Sequence, residues 1–387
     1  MSREIRVLHC GDLHLDSLFG SVSPTDTLKR RSELRDAFVS MINYAVRNRI
    51  DIVLIAGDVY EKDFVTQESV SLMCQCFADN PQIKFVISPG NHDPYTQNSV
   101  YAMTDFPKNV HVFRESKLTS IYYPDLNTEV FGYAFTSPSL PIAPFANFKV
   151  EDKSRINLLC AHCDLIGNAD YCPTTASELL SCGFDYAALG HIHNSEGIRK
   201  SENRYYGYCG CLEGRNFGEC GHKGAICCVF SKENGVFSAE FHGVRFSKRR
   251  YEKITVDLSG EDSSRACYEK IREAVKDYKS DTVLQINLVG DVNCEGVLSG
   301  KYISDTLCSE LFSCEVVDKT NMYIDYSALE KDYSLRGAYY RRLKKSINSE
   351  NEQIRQYALA ALKLGLRAIN EGKLVDDFAS GSMLDDK

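Results

Sequence analysis

The stretch Ile5-Arg6-Val7-Leu8-His9-Cys10-Gly11-Asp12-Leu13-His14 sets the pattern on which the fold reading turns. A short apolar run reads as a buried strand, a glycine ends it, and an aspartate and a histidine follow. The layout recurs four times. Residues 51–56 lead into Gly57-Asp58, residues 83–88 into Gly90-Asn91-His92-Asp93, residues 157–161 into His162, and residues 184–189 into Gly190-His191-Ile192-His193. Between the first runs, Leu28, Leu34, Phe38, Met41, Ile42, Ala45 and Val46 keep near-helical spacing, and 67–77 reads as a second helix. Strand–helix alternation of this kind predicts an α/β fold with a partly parallel sheet. In such sheets ligands bind at the carboxyl ends of the strands, where all five runs deliver Asp, Asn or His.

Further along, the spacing over 110–135 shortens and predicts antiparallel strands. Pro138, Pro141 and Pro144 mark an irregular loop, and a helix is expected near 175–181. Residues 225–230 and 236–244 read as a closing hairpin turning at Glu233-Asn234-Gly235. The basic run Lys248-Arg249-Arg250 interrupts the pattern. Beyond it, strands at 253–258, 282–289 and 314–317 with helices over 263–278 and near 303–312 predict a small α+β unit. From Leu329 the chain reads as helical, with Ile354, Ala358, Leu359, Leu362, Leu366 and Ile369 as one apolar stripe and Gly372 as the stop; residues 379–387 are expected to fray. The expected division is 1–247, 248–322 and 323–387.

Composition narrows the function classes. The chain has 387 residues, 43% of them apolar and 25% charged, which excludes a disordered tail, a collagen-like repeat and a small disulfide scaffold. No run approaches the ~18 uninterrupted apolar residues of a membrane span. The opening Met1-Ser2-Arg3-Glu4-Ile5-Arg6 lacks a signal-peptide layout, so a cytoplasmic setting and reduced thiols are expected for the 16 cysteines. Cys160-Ala161-His162-Cys163 has no second pair, so those thiols read as core and loop filling. The formal charge of −8 argues against coating of duplex DNA by bulk electrostatics; nucleic-acid contact would need a local patch or bound cations.

Singly, each polar fragment is a commonplace turn. Together they are not, because His14, His92, His162, His191 and His193, five of nine histidines, fall in these loops. Two divalent cations ~3.5–4 Å apart need one carboxylate that bridges them. Asp58 is the candidate bridge. Asp12, His14 and His193 would complete one position, and Asn91, His162 and His191 the other. Mixed imidazole and oxygen donors suit Mn, Fe or Zn better than Mg.

Asp-x-His, Gly-Asp, Gly-Asn-His-Asp, a separate His and Gly-His-x-His in that order resemble the calcineurin-like metallophosphoesterases. Asp12-Leu13-His14-Leu15-Asp16-Ser17 and Leu212-Glu213-Gly214-Arg215-Asn216-Phe217-Gly218-Glu219, with Lys223-Gly224, look most like the bacterial DNA repair exonucleases of the SbcD and YhaO type. The resemblance implies two mixed sheets flanked by helices, a small α+β cap domain and a helical C-terminal segment. It implies a Mn-dependent phosphodiesterase acting on DNA, with in-line attack by a metal-activated hydroxide. His92 is expected as general acid, with Asp93 in the catalytic group and Glu61 orienting His92 and raising its pKa. Related break-repair nucleases commonly hold a His where this chain has Glu61. Arg215 is a candidate phosphate contact. The expected partners are DNA, a coiled-coil ATPase docking on the C-terminal helices, and a second copy of the chain, with no membrane. The alternative is a phosphoesterase acting on a small nucleotide, a cyclic nucleotide or a phosphoprotein.

Overall fold

The computed structural model describes residues 4–19, 24–165, 167, 169–292 and 300–371. It divides into two compact units, the first made of Met1–Lys253, Ser280–Leu284 and Leu311–Ser313. Its elements run β1 (Ile5–Cys10), α1 (Pro24–Arg47), β2 (Ile52–Ile55), α2 (Gln67–Ala78), β3 (Lys84–Ile87), α3 (Val100–Met103), β4 (Val110–Val112), β5 (Thr119–Tyr123), β6 (Thr128–Gly132), β7 (Ile156–His162), α4 (Ala176–Ser181), β8 (Tyr186–Gly190), β9 (Gly197–Ser201), β10 (Arg204–Tyr208), β11 (Gly224–Glu233) and β12 (Val236–Arg245).

These strands form two six-stranded mixed sheets, ordered β12-β11-β1-β2-β3-β4 and β5-β6-β7-β8-β10-β9. Strands β1 to β4 are parallel, as are β6, β7, β8 and β10. Alternation along each strand explains the continuous apolar runs. Val7, Ile52, Leu54 and Val86 face Leu158, Cys160, Tyr186 and Ala188 in one core between the sheets. The intervening Leu8, Cys10, Val53 and Ile55 face the other way, against Leu34, Phe38, Met41 and Phe77 of α1 and α2. On the far side of the second sheet, Leu159, Ala161, Ala187 and Leu189 pack with Phe145 and with Leu179 of α4. Buried from both faces, β1, β2, β3, β7 and β8 have little freedom to slip register, since a one-residue shift would exchange the two cores. Their carboxyl ends are thereby held in place.

Some expectations require correction. The 110–135 stretch is not uniformly antiparallel. β4 runs parallel to β3, because the crossover through α3 returns the chain in the same direction; only β5 and β6 pair antiparallel, and β6 is parallel to β7. The hairpin of the mostly exposed β9 and the half-buried to buried β10 was not anticipated. Leu28 and Val46, assigned to the apolar face of α1, are exposed. The β11–β12 hairpin turns through Asn234 and Gly235 at φ +51° and +80°, the left-handed pair that a two-residue turn requires.

The second unit comprises Ile254–Lys279, Gln285–Glu310 and Cys314–Lys387. It carries most of a three-stranded sheet of β13 (Arg250–Asp257), β14 (Thr282–Val289) and β16 (Ser313–Asp318), the small pair β15 (Asp291–Val292) and β17 (Asn321–Met322), and the helices α5 (Ser264–Val275) and α6 (Gly300–Leu307). Ser263 caps α5, which buries Cys267, Ile271 and Val275 at helical spacing. Helices α7 (Tyr326–Lys331), α8 (Leu335–Ile347) and α9 (Glu352–Glu371) share a core of Leu329, Tyr340, Ile347, Ala358, Leu362 and Leu366. Ile354, placed in that stripe by its spacing, is exposed. Gly372 and the segment 379–387 lie outside the described residues. Among the described residues, no helix is long and apolar enough to cross a membrane.

Candidate metal centre

Both sheets of the first unit point the carboxyl ends of their central strands at one place. Asp12 and His14 follow β1, Asp58 follows β2, Asn91 and His92 follow β3, His162 closes β7, and His191 and His193 follow β8. Asp12, His14, Asp58 and His191 adopt φ of +48°, +45°, +51° and +100°. Side chains other than glycine rarely take this conformation, and its cost, about 1–3 kcal/mol each, is characteristic of functional sites. Gly57 (φ +86°) lies so close behind the centre that a Cβ there would overlap the His162 ring.

In one half of the centre, Asp12, His14, Asp58 and His193 each bring a ligand atom within 4.8 Å of the others. His14 Nδ1 lies 2.8 Å from Glu61 Oε1, and His193 Nδ1 lies 2.7 Å from Glu219 Oε1. A carboxylate only accepts, so His14 carries its proton on Nδ1 and leaves Nε2 bare, whereas His193 Nδ1 faces both Glu219 and the Arg215 Nη2 donor at 2.9 Å. The two Nε2 atoms face each other at 3.1 Å. A contact this short needs a proton or a cation between the two nitrogens.

On the other side of Asp58 the support is different. His162 Nδ1 donates to the carbonyl of Ala56 at 3.0 Å, and its bare Nε2 faces Asn91 Oδ1, a second acceptor, at 2.8 Å. The His191 ring stands edge-on to that of His162, with centroids 5.2 Å apart. Asp58 is common to both halves: its Oδ2 is 3.7 Å from His14 Nε2 and 3.4 Å from His162 Nε2. Its Oδ1 accepts the His92 N–H at 2.9 Å, which leaves Oδ2 aimed between the halves. Asp12, His14, Asp58 and His193 therefore offer one compact donor set for a divalent cation, and Asp58 Oδ2 and Asn91 Oδ1 stand beside His162 Nε2 for a second, while His191 Nε2 lies 3.8 Å from Asp164 Oδ2.

Electrostatics agree with that geometry. Burial pushes His14 down to about 4, and burial with the neighbouring His162 pushes His191 down to about 4, so both imidazoles are neutral ligands near pH 7. Burial raises Asp12 to about 6, partly offset by His193 and His162. Burial also pushes Asp58 up, but His162, His14 and His92 outweigh it and hold the carboxyl below its ordinary value.

The flanking residues divide by what they touch. Glu61 bonds His14 with one oxygen and His92 Nδ1 with the other, at 2.9 Å. That bond lifts His92 to about 9, and the His92 side chain remains 43% exposed at the rim. Asp93, expected in the catalytic group, is fully buried. It accepts from the backbone N–H of Asp58 (3.2 Å), Val59 (2.6 Å) and Gly90 (2.7 Å) and from Tyr101 Oη (2.5 Å). That geometry ties the Asp58 loop to the Asn91 loop and is a positioning role. Arg215, expected to contact phosphate, is bonded to Glu61 and Glu219. Sequence reasoning assigned no role to Glu219 or Tyr101. The one available signal for Glu219 was its place in the stretch that carried the family resemblance.

Residues 5–195 match the calcineurin-like phosphoesterase family, and the chain carries a domain of that family of metal-dependent phosphoester hydrolases. Among curated proteins, the chain is similar to the uncharacterized metallophosphoesterase YhaO of Bacillus subtilis, 27% identical over 289 residues covering 70% of this chain and 68% of that protein. It is also similar to the DNA double-strand break repair protein Mre11 of Aeropyrum pernix, 23% identical over 228 residues. That match covers 54% of this chain and 53% of Mre11, about half the length of either. Among solved structures, Vps29 complexed with zinc from Entamoeba histolytica aligns with 62% of this chain and 99% of its own, at 13% identity and a TM-score of 0.29.

Proposed function

We propose that this chain is a two-metal phosphodiesterase that hydrolyses DNA, with His92 as general acid. The observation that carries the reading is Asp58 Oδ2, set between His14 Nε2 and His162 Nε2. Manganese is the proposed ion, with iron or zinc as alternatives, because imidazole nitrogens stand beside carboxylate and amide oxygens, a mixed set that suits these ions better than magnesium. When bound, the cations neutralise the phosphate and acidify the attacking water.

The residues of the chain do the rest. Asp12, His14, Asp58 and His193 would hold one cation, and Asp58, Asn91, His162 and His191 the other. Asp93 and Gly57 hold the loops that carry them. His92 stands at the exposed rim with its Nδ1 on Glu61, so its Nε2 proton is directed outward toward a leaving oxygen. The likeness to Mre11 supports DNA as substrate. The C-terminal helices, with Leu335, Ile354 and Tyr357 exposed, are the proposed docking point of a coiled-coil ATPase.

The test is hydrolysis of end-labelled single- and double-stranded DNA and of bis-nitrophenyl phosphate in Mn, beside Asp58→Asn. Activity on both substrates is expected, with a fall of about 10³-fold or more in the variant, since both cation positions lose their shared ligand. Cleavage of the diester alone would move the reading to a small phosphoester substrate, which the net charge of −8 favours. DNA cleavage that persists in the variant would exclude this centre as its source.

A further inference from the structure

We propose that Arg215 is a positioning residue that braces the His14–His193 cation position, and not a phosphate ligand. The inference rests on the reading of that centre as a metal site. Arg215 Nη1 lies 3.2 Å from Glu61 Oε1, and its Nη2 lies 2.9 Å from Glu219 Oε1. Nε lies 3.4 Å from Glu219 Oε2, and the backbone N–H of Arg215 donates to that same oxygen at 2.7 Å. Each guanidinium nitrogen thus faces a carboxylate of the chain, and the side chain is only 13% exposed. Nη2 also sits 2.9 Å from His193 Nδ1 and 3.5 Å from its Nε2, so the guanidinium lies against the ligand ring itself.

The two carboxylates that Arg215 spans are those that face Nδ1 of His14 and of His193. One fork therefore sets the ring direction of both imidazoles. Through Glu61 it also fixes His92. A second buried arginine secures the loop that carries the fork. Arg30, with its side chain fully buried, donates to Glu213 at 2.7 Å, Glu33 at 2.8 Å and the carbonyl of Gly214 at 3.0 Å. Carboxylate–histidine support of this kind typically governs metal affinity by about 10–100-fold. A lysine has one point charge and no planar fork, so it would not hold both glutamates at once.

The experiment is calorimetric titration of Mn into the full-length wild type, Arg215→Lys and Glu219→Gln, with bis-nitrophenyl phosphate kinetics at several Mn concentrations. Two binding events are expected in the wild type. In Arg215→Lys one event should weaken about 10–100-fold, the other should hold, and excess Mn should restore turnover with KM unchanged. Glu219→Gln, nearly isosteric, should weaken the same event and serves if Arg215→Lys does not fold. Unaltered Mn affinity with a raised KM in Arg215→Lys would overturn the proposal in favour of a phosphate contact. Absence of Mn binding in the wild type would overturn the metal reading itself, and this inference with it.

Discussion

In the His14–His193 half of the centre, each imidazole Nδ1 faces a glutamate, and an arginine spans the two glutamates; in the His162 half Nδ1 faces the carbonyl of Ala56. A carboxylate behind an imidazole makes it a stronger electron donor and draws a charged network around it. A carbonyl fixes the tautomer just as firmly but adds no charge. The first half therefore depends on side chains reached across long stretches of sequence. The second depends on backbone shape, namely the left-handed turn at Gly57 and the close stacking of β2 against β7. Side-chain changes should injure one half, and backbone changes the other.

Among changes that separate the two halves, the largest effect is expected of Gly57→Ala. Its φ of +86° is strained for any side chain, and the added Cβ would overlap the His162 ring. Displacing a ligand by about 1 Å typically costs ~10²-fold in rate. Turnover of bis-nitrophenyl phosphate should fall by about that factor, and Mn titration should lose one event while the other keeps its affinity. Equal weakening of both events would break the division into halves.

A smaller effect is expected of Tyr101→Phe. Tyr101 Oη donates to Asp93 at 2.5 Å, and Asp93 joins the Asp58 and Asn91 loops. Hydrogen bonds to a charged group contribute about 1.5–3 kcal/mol, so urea unfolding should show a loss of that order. The His14–His193 half shares only Asp58 with this clamp. A larger change in the Mn event that Arg215→Lys weakens than in the other event would contradict that separation.

How much of this was legible in the sequence follows from how far each interaction reaches. The ligands stood out because five doubly buried strands read as bare apolar runs, so a polar residue straight after each was conspicuous. The supports did not stand out. Glu219 lies 26 positions from His193, and Asp93 lies 34 from Val59, whose N–H it accepts. Neither Glu nor Asp announces a partner at such separation. Arg215 was visible as a basic residue in a Gly-rich loop, but pattern alone does not say whether a guanidinium faces phosphate or glutamate. The direction of β4 was hidden because it has three half-buried residues and no period. Leu28 and Ile354 fit helical spacing yet are exposed, since periodicity names a face but not where the packing against it ends.

His9 separates tautomer fixing from metal binding, and gives the smallest effect. It is buried like His162, and its Nε2 meets the carbonyl of Leu189 at 3.1 Å, but its Nδ1 lies 2.7 Å from Tyr186 Oη. The carbonyl takes the Nε2 proton and the tyrosine hydroxyl donates to Nδ1, so no bare nitrogen is left for a cation. Burial pushes His9 down to about 3, only partly countered by the Leu189 bond. The ordinary value of 6.5 applies once the chain unfolds, so between pH 6.5 and 3 the unfolded chain binds a proton that the folded chain does not. The stabilisation is fully present above pH 6.5 and is lost as pH falls, by about 2 kcal/mol at pH 5. Urea unfolding of wild type and His9→Gln at pH 7.5 and pH 5 measures it, with carboxylate titrations common to both cancelling. The wild type should lose about 2 kcal/mol more than the variant on acidification, while Mn stoichiometry stays the same in both. Equal losses would mean that His9 takes up its proton inside the fold. A change in Mn stoichiometry would mean that a satisfied imidazole had been mistaken for one outside the centre.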